Sequence, residues 1–115
     1  VTYQTLPSQA LLYRLNGDPN PLHSAPDFAA MGGFDRPILH GLCTYGFTGR
    51  ALLHALCGSD PARFGSMYGR FSKPVLPGDE LTVEMWMDDG GAAASFRTST
   101  TDGSVVVDRG RFTFS

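Results

Sequence analysis

The spacing of apolar residues changes period once along the chain. From about residue 8 to residue 57 they recur at three- and four-residue steps, and from about 63 to 114 they alternate. The first spacing places side chains on one face of a helix and the second on one face of a strand. Ahead of both, Val1-Thr2-Tyr3-Gln4-Thr5 is a short β-branched and aromatic run that predicts a strand. Ala10, Leu11, Leu12 and Leu15 predict a helix over 8–15, with Ser8 able to cap it and Gly17 ending it. Ser24-Ala25-Pro26-Asp27 predicts a second helix start: a serine cap, a proline in the first turn and an acid three residues after the cap. Gly32-Gly33 ends that short helix.

The longest periodic stretch runs over about 39–57, where Leu42, Tyr45, Gly49, Leu52, Leu53 and Leu56 share a face. Gly41, Gly46 and Gly49 each lower helix propensity by about 1 kcal/mol relative to alanine. A helix that accepts this cost is expected to be central, buried and closely wrapped by other backbone. Gly58-Ser59-Asp60-Pro61 closes the helical half. Strands are predicted at 63–72, 80–88, 92–101 and 104–114, with Asp89-Gly90-Gly91 and Asp102-Gly103 as hairpin turns. Helices followed by antiparallel strands is an α+β pattern, one long helix against a meander of about five strands. That arrangement is expected to cover nearly every apolar residue.

A length of 115 residues suits one domain over 1–115 with one core. With 42% apolar and 17% charged residues the composition is that of a globular chain. A net charge of −2 offers no broad attraction to nucleic acid or an anionic membrane, and no apolar run approaches the roughly 20 residues of a membrane span. Val1 stands inside a strand-like pattern, so a fragment, a processed product or one half of a larger protein is expected. Cys43 and Cys57 both fall on the predicted long helix, about 21 Å apart, far beyond disulfide reach. They read as reduced core thiols, and no Cys/His spacing suggests a metal.

Candidate chemistry concentrates in Leu15-Asn16-Gly17-Asp18-Pro19-Asn20-Pro21-Leu22-His23. Prolines fix φ and remove donors while glycine admits positive φ, so this is a stiff loop rather than a regular element. It gathers a carboxylate, an amide and an imidazole. Asp18 and Asn20 suit an Asx-turn, with His23 merely preceding a helix; the same three residues suit an acid–base site. On the loop alone the two readings stand level.

Three stretches in register decide between them: GDPNPLH at 17–23, GFDRPILHG at 33–41 and RFSKPVLPGDEL at 70–81. Together they closely resemble the MaoC-like, R-specific (type-2) enoyl-CoA hydratases, and PILHGLCTYGF most resembles the catalytic C-terminal half of members with two hot-dog domains. The resemblance implies a hot-dog fold, an antiparallel sheet wrapped around the central helix, and no cofactor. It implies reversible hydration of a trans-2-enoyl-CoA to the (3R)-3-hydroxyacyl-CoA, with Asp18 and His23 as the catalytic pair, Asn20 holding them or the water, and Gly41 giving an oxyanion N–H. Phe71 falls where members contact the thioester ligand.

Hydration needs a water polarised toward C3, a proton for C2 and a donor for the enolate oxygen. A carboxylate and an imidazole around one water supply both proton steps. Gly41, at the helix start, has an unpaired N–H at the positive dipole end, whereas Gly46 and Gly49 are read as packing glycines. The neighbouring Gly17, Pro19, Pro21 and Leu22 are expected to shape or line the substrate site. His40 is read as orienting the loop or lining the pocket, with the structural role preferred. Arg70 and Lys73 flank Phe71 and are candidate contacts for CoA phosphates. Cys43 and Tyr45 are read as packing, and His54, well down the helix, as packed or partly exposed.

The two-domain members carry a second, non-catalytic hot dog, so a homodimer, a partner subunit or a missing N-terminal half is expected to complete the acyl pocket. A non-catalytic acyl-CoA-binding or scaffold hot dog, and a hot-dog thioesterase or acyl-carrier-protein dehydratase, are the competing functions. A bacterial cytoplasm, or a peroxisome if the chain is part of a larger eukaryotic protein, is the implied location.

Overall fold

The alternating half of the chain forms the strands it predicts. A computed structural model describes residues 1–115. Its strands are β1 (Thr2–Gln4), β2 (Phe64–Phe71), β3 (Glu80–Met87), β4 (Ala93–Thr100) and β5 (Val105–Phe114). They build one antiparallel sheet in the order β1-β3-β4-β5-β2. The turns after β3 and β4 fall on the predicted glycine-containing segments, where Gly91 and Gly103 take positive φ.

The sheet is not a simple meander. β3, β4 and β5 are consecutive neighbours, but β2 pairs with β5 at the far edge and β3 pairs with β1. The segment between β2 and β3 holds Pro74 and Pro77. Two fixed φ values and two missing donors suit a stiff crossover and not a tight hairpin. This segment also matters for the site, because Val75 accepts a hydrogen bond from Leu39 N–H at 2.7 Å.

The helices are α1 (Gln9–Arg14), α2 (Pro26–Met31) and the long α3 (Gly41–Leu56). Neither predicted serine caps: Ser8 makes no side-chain capping bond, and Ala25, not Ser24, precedes Pro26. α3 begins two residues later than the periodicity suggests, and His40, at φ −57° and ψ 132°, is not yet helical. Its buried face also differs from the leucine-based one. Cys43, Thr44, Thr48, Ala51 and Leu52 are buried, while Leu42 is 64% exposed. Small side chains let the helix lie close to the sheet, and Thr48 Oγ1 meets Thr98 Oγ1 at 2.7 Å across that contact. The core gathers Leu52, Leu81, Val83, Phe96, Val107 and Phe112. Gly46, expected to permit close packing, has nothing beyond its own helix backbone and chain neighbours within 4 Å of its Cβ position.

This is the α+β arrangement, sheet around a central helix, that the hot-dog resemblance implies. Coverage of the apolar residues is less complete than expected. Leu15 and Met31 are 80% and 85% exposed, Leu11, Leu12 and Leu42 are also exposed, and on β2 only Met67 is better than exposed. Both cysteines are free and buried; Cys57 lies one residue beyond α3. No helix is long and apolar enough to cross a membrane.

Candidate active site

α1 gives way to the loop through Gly17, whose φ of +107° excludes most side chains. The loop then makes two Asx-type bonds. Asn20 N–H donates to Asp18 Oδ1 at 3.3 Å, and Leu22 N–H donates to Asn20 Oδ1 at 3.0 Å. Asn20 thereby caps the single 3-10 turn Pro21–His23. The Asx-turn reading holds here, and the Asx bonds shape the turn that ends in His23.

That residue is His23. Its Nδ1–H donates to the Ile38 carbonyl at 2.9 Å, while Ile38 N–H donates to the Leu22 carbonyl at 3.4 Å. Donation to a carbonyl fixes the tautomer, so a neutral His23 carries its lone pair on Nε2. Nε2 has no partner in the chain and His23 lines a cleft of about 330 Å³.

Gly41 lines the same cleft from the first position of α3. Its N–H has no acceptor within the chain, as the flanking His40 makes no side-chain cap. A Cβ here would come within 3.2 Å of the Phe71 ring, so glycine keeps the backbone approachable. Phe71, Ser72, Lys73, Pro74 and Val75 form one continuous wall. Of these, the resemblance implied Phe71 and its charge suggested Lys73; Phe34, Ile38 and Thr44 also line the cleft and were not among the expected site residues. Their legible signal was membership of the three matched stretches, or, for Thr44, position one turn past Gly41.

Asp18 is placed differently. Its carboxylate is half exposed, does not line the cleft and lies farther than 4.0 Å from any His23 nitrogen. The imidazole between them is His40, 1% exposed. His40 Nε2–H donates to the Asp18 carbonyl at 3.2 Å and lies 3.9 Å from Asp18 Oδ2. Its ring stacks on His23 with centroids 3.9 Å apart, and the Tyr13 ring lies tilted against it at 4.6 Å. Burial is the main cause that lowers the His40 pKa, against the smaller opposing pull of the Asp18 carbonyl. Its Nδ1 is buried without a partner.

Gly17, Pro19, Pro21 and Leu22 do not line the cleft; they shape the loop behind it. Arg70 points elsewhere, held at 2.9 and 2.6 Å by the two oxygens of Asp108. Lys73 stands at the rim, on this cleft and the adjoining one. His54 bonds Ser59 and Arg50 on the exposed end of α3, far along the helix from Gly41. The Tyr45 hydroxyl donates to the Met67 carbonyl, and burial raises the Cys43 pKa, which keeps that thiol protonated.

The family model described as "MaoC like domain" matches residues 1–109. The chain is 51% identical over 107 residues to enoyl-CoA hydratase ChsH3 of Mycobacterium tuberculosis, covering 93% of this chain and 37% of that protein. It is 55% identical over 85 residues to the peroxisomal enoyl-CoA hydratase 2 of Arabidopsis thaliana, covering 74% of this chain and 28% of that protein. The structure of a MaoC-like dehydratase from Phytophthora capsici superposes with a TM-score of 0.96 at 43% identity, over 100% of this chain and 40% of that one. The chain therefore spans well under half the length of these relatives. Match, identity and fold agree, and the chain belongs to the MaoC-like domain family.

Proposed function

We propose that the chain is a hydro-lyase unit that reversibly adds water to a trans-2-enoyl-CoA, giving the (3R)-3-hydroxyacyl-CoA. One observation carries this reading. His23, locked by Ile38 with Nε2 free, and the unpaired Gly41 N–H line one cleft. A thioester oxygen on Gly41 N–H would place the neighbouring C2=C3 bond toward His23. In this reading Asp18 and His23 share the proton steps: one withdraws a proton from the water as its oxygen bonds C3, and the other returns a proton to C2. Asn20 positions both, and Gly41 N–H stabilises the enolate oxygen. Phe71 flanks the thioester, and Lys73 is the better placed cation for CoA phosphates.

The stereochemistry and the CoA carrier rest on the family resemblance and the relatives' names. A second hot-dog unit is part of the proposal, as another copy, a partner subunit or a further segment of the same protein. The exposed apolar side chains of Leu11, Leu12, Leu15 and Leu42, and the open edge of β2, support it. The proposed setting is a bacterial cytoplasm or a peroxisome.

The placement of Asp18 outside the cleft favours one competing reading, a subunit that binds acyl-CoA without turning it over. Crotonyl-CoA separates the two. Hydration predicts loss of enoyl-thioester absorbance with the protein in its native assembly; tight binding with constant absorbance would leave only the binding reading. Free CoA thiol released from a saturated acyl-CoA would instead indicate a thioesterase.

A further inference from the structure

Thr44 stands one turn into α3, on the same cleft as Gly41, His23 and Phe71. It is 2% exposed, and its Oγ1 has no hydrogen-bond partner in the chain. A threonine inside a helix ordinarily donates its hydroxyl to the carbonyl one turn back. Thr48 does so, to the Thr44 carbonyl at 3.1 Å. For Thr44 the corresponding acceptor is the His40 carbonyl, which already receives Cys43 N–H at 3.0 Å and Thr44 N–H at 3.2 Å. Both its lone pairs are spoken for.

We infer that the Thr44 hydroxyl donates a second hydrogen bond to the thioester oxygen, beside the one from Gly41 N–H. Helical Cα–Cβ bonds tilt toward the N-terminus, so the Thr44 side chain leans back over the first turn, the level of the Gly41 amide. Two donors of different kind then meet one acceptor: a fixed amide and a hydroxyl that rotates as charge builds on the oxygen. The donor is unpaired before the substrate arrives, so its bond is gained only with the substrate and strengthens as the enolate forms. The inference rests on the hydratase reading, and its test separates the two.

Thr44→Val keeps the shape and deletes the hydroxyl; Thr44→Ser keeps the hydroxyl. In the native assembly, Thr44→Val is expected to lower kcat for crotonyl-CoA about 100-fold while KM stays within a few-fold. Thr44→Ser restores most of the rate. The carbonyl stretch of bound butyryl-CoA, which cannot be hydrated, moves to higher frequency in Thr44→Val than in the native protein. The melting temperature of Thr44→Val is not lowered, since no bond within the chain is lost. A native-like kcat with an unmoved carbonyl band overturns the inference alone. A rate loss matched by a lower melting temperature, with the band unmoved, assigns Thr44 to packing and also overturns it. Should Thr44→Val not fold, Thr44→Ala is read by the same band. A native protein that leaves crotonyl-CoA unchanged removes the hydratase reading and this inference together.

Discussion

His40 stacks on His23 with ring centroids 3.9 Å apart and planes at 28°. The same ring holds the Asp18 carbonyl through Nε2, so one buried imidazole touches both members of the proposed pair. Neither Asp18 nor His23 is itself deeply buried; their relative placement depends on His40. His40→Asn keeps a donor but loses the stacking surface. It is expected to cut the hydration rate by about 10- to 100-fold, the scale of a displacement near 1 Å. Steady-state kinetics with crotonyl-CoA measure this, with circular dichroism verifying the fold. An unchanged rate would remove His40 from the positioning role.

Stability should fall as the solution is acidified through the ordinary histidine range. Burial holds the folded pKa of His40 below its usual 6.5. As pH drops below about 6.5 the unfolded chain takes up this proton first, so protonation favours unfolding and the loss grows until the folded pKa is reached. At higher pH the ring is neutral in both states and the effect vanishes. Urea midpoints at pH 7.5 and 5.5 test the sign, and His40→Asn should flatten the difference. A midpoint that rises on acidification contradicts a buried neutral His40.

Asp18→Asn and His23→Gln isolate the proton steps. Asn at position 18 retains an oxygen for the Asn20 N–H and loses only the charge. Asp18 is half exposed and His23 partly buried, so neither change should unfold the chain. Each is expected to slow hydration by about 10²- to 10⁴-fold. Full activity in either variant withdraws that residue from the acid–base pair.

Much of the fold was legible because period and turn residues agree. Alternation placed β3, β4 and β5 within a residue or two, and the glycine turns fixed their hairpins. The partner of β2 was not legible, since strand order depends on where a proline-stiffened crossover leads, and not on the strand's own residues. The buried face of α3 was misjudged for a related reason. Leucine marked one face, but the sheet selects the small Cys43, Thr44, Thr48 and Ala51 for close approach. In the site, the loop chemistry alone left turn and acid–base readings level and only the matched stretches pointed to His23, while the placement of His40 between Asp18 and His23 required tertiary structure.

Gly110 tests how tightly that sheet packs. It lies opposite Phe96 in the β4–β5 register, and a Cβ added there would be 2.5 Å from the Phe96 ring. Phe96 is 2% exposed and has little room to yield. Gly110→Ala is expected to cost about 1–3 kcal/mol, read as a lower thermal midpoint. Phe96→Leu in the same chain should recover part of the loss. A Gly110→Ala protein as stable as the native one would show that the ring moves freely.

Gly41→Ala probes the proposed oxyanion amide against its aromatic neighbour. The added methyl would stand 3.2 Å from Phe71, a ring 55% exposed and able to swing outward. Stability should therefore change by less than about 1 kcal/mol, because alanine also favours the helix. Activity should fall much further, since the methyl occupies the approach to the amide that the thioester oxygen needs. Two causes can produce that fall, a displaced Phe71 or an obstructed N–H, and a double-mutant cycle with Phe71→Leu distinguishes them. If Phe71 displacement is the cause, Gly41→Ala costs little rate in the Phe71→Leu background. If the amide approach is the cause, Gly41→Ala costs as much there as in the native chain. Independence of the two changes is the expected result, and strong coupling would shift the thioester contact from the Gly41 amide to the Phe71 ring.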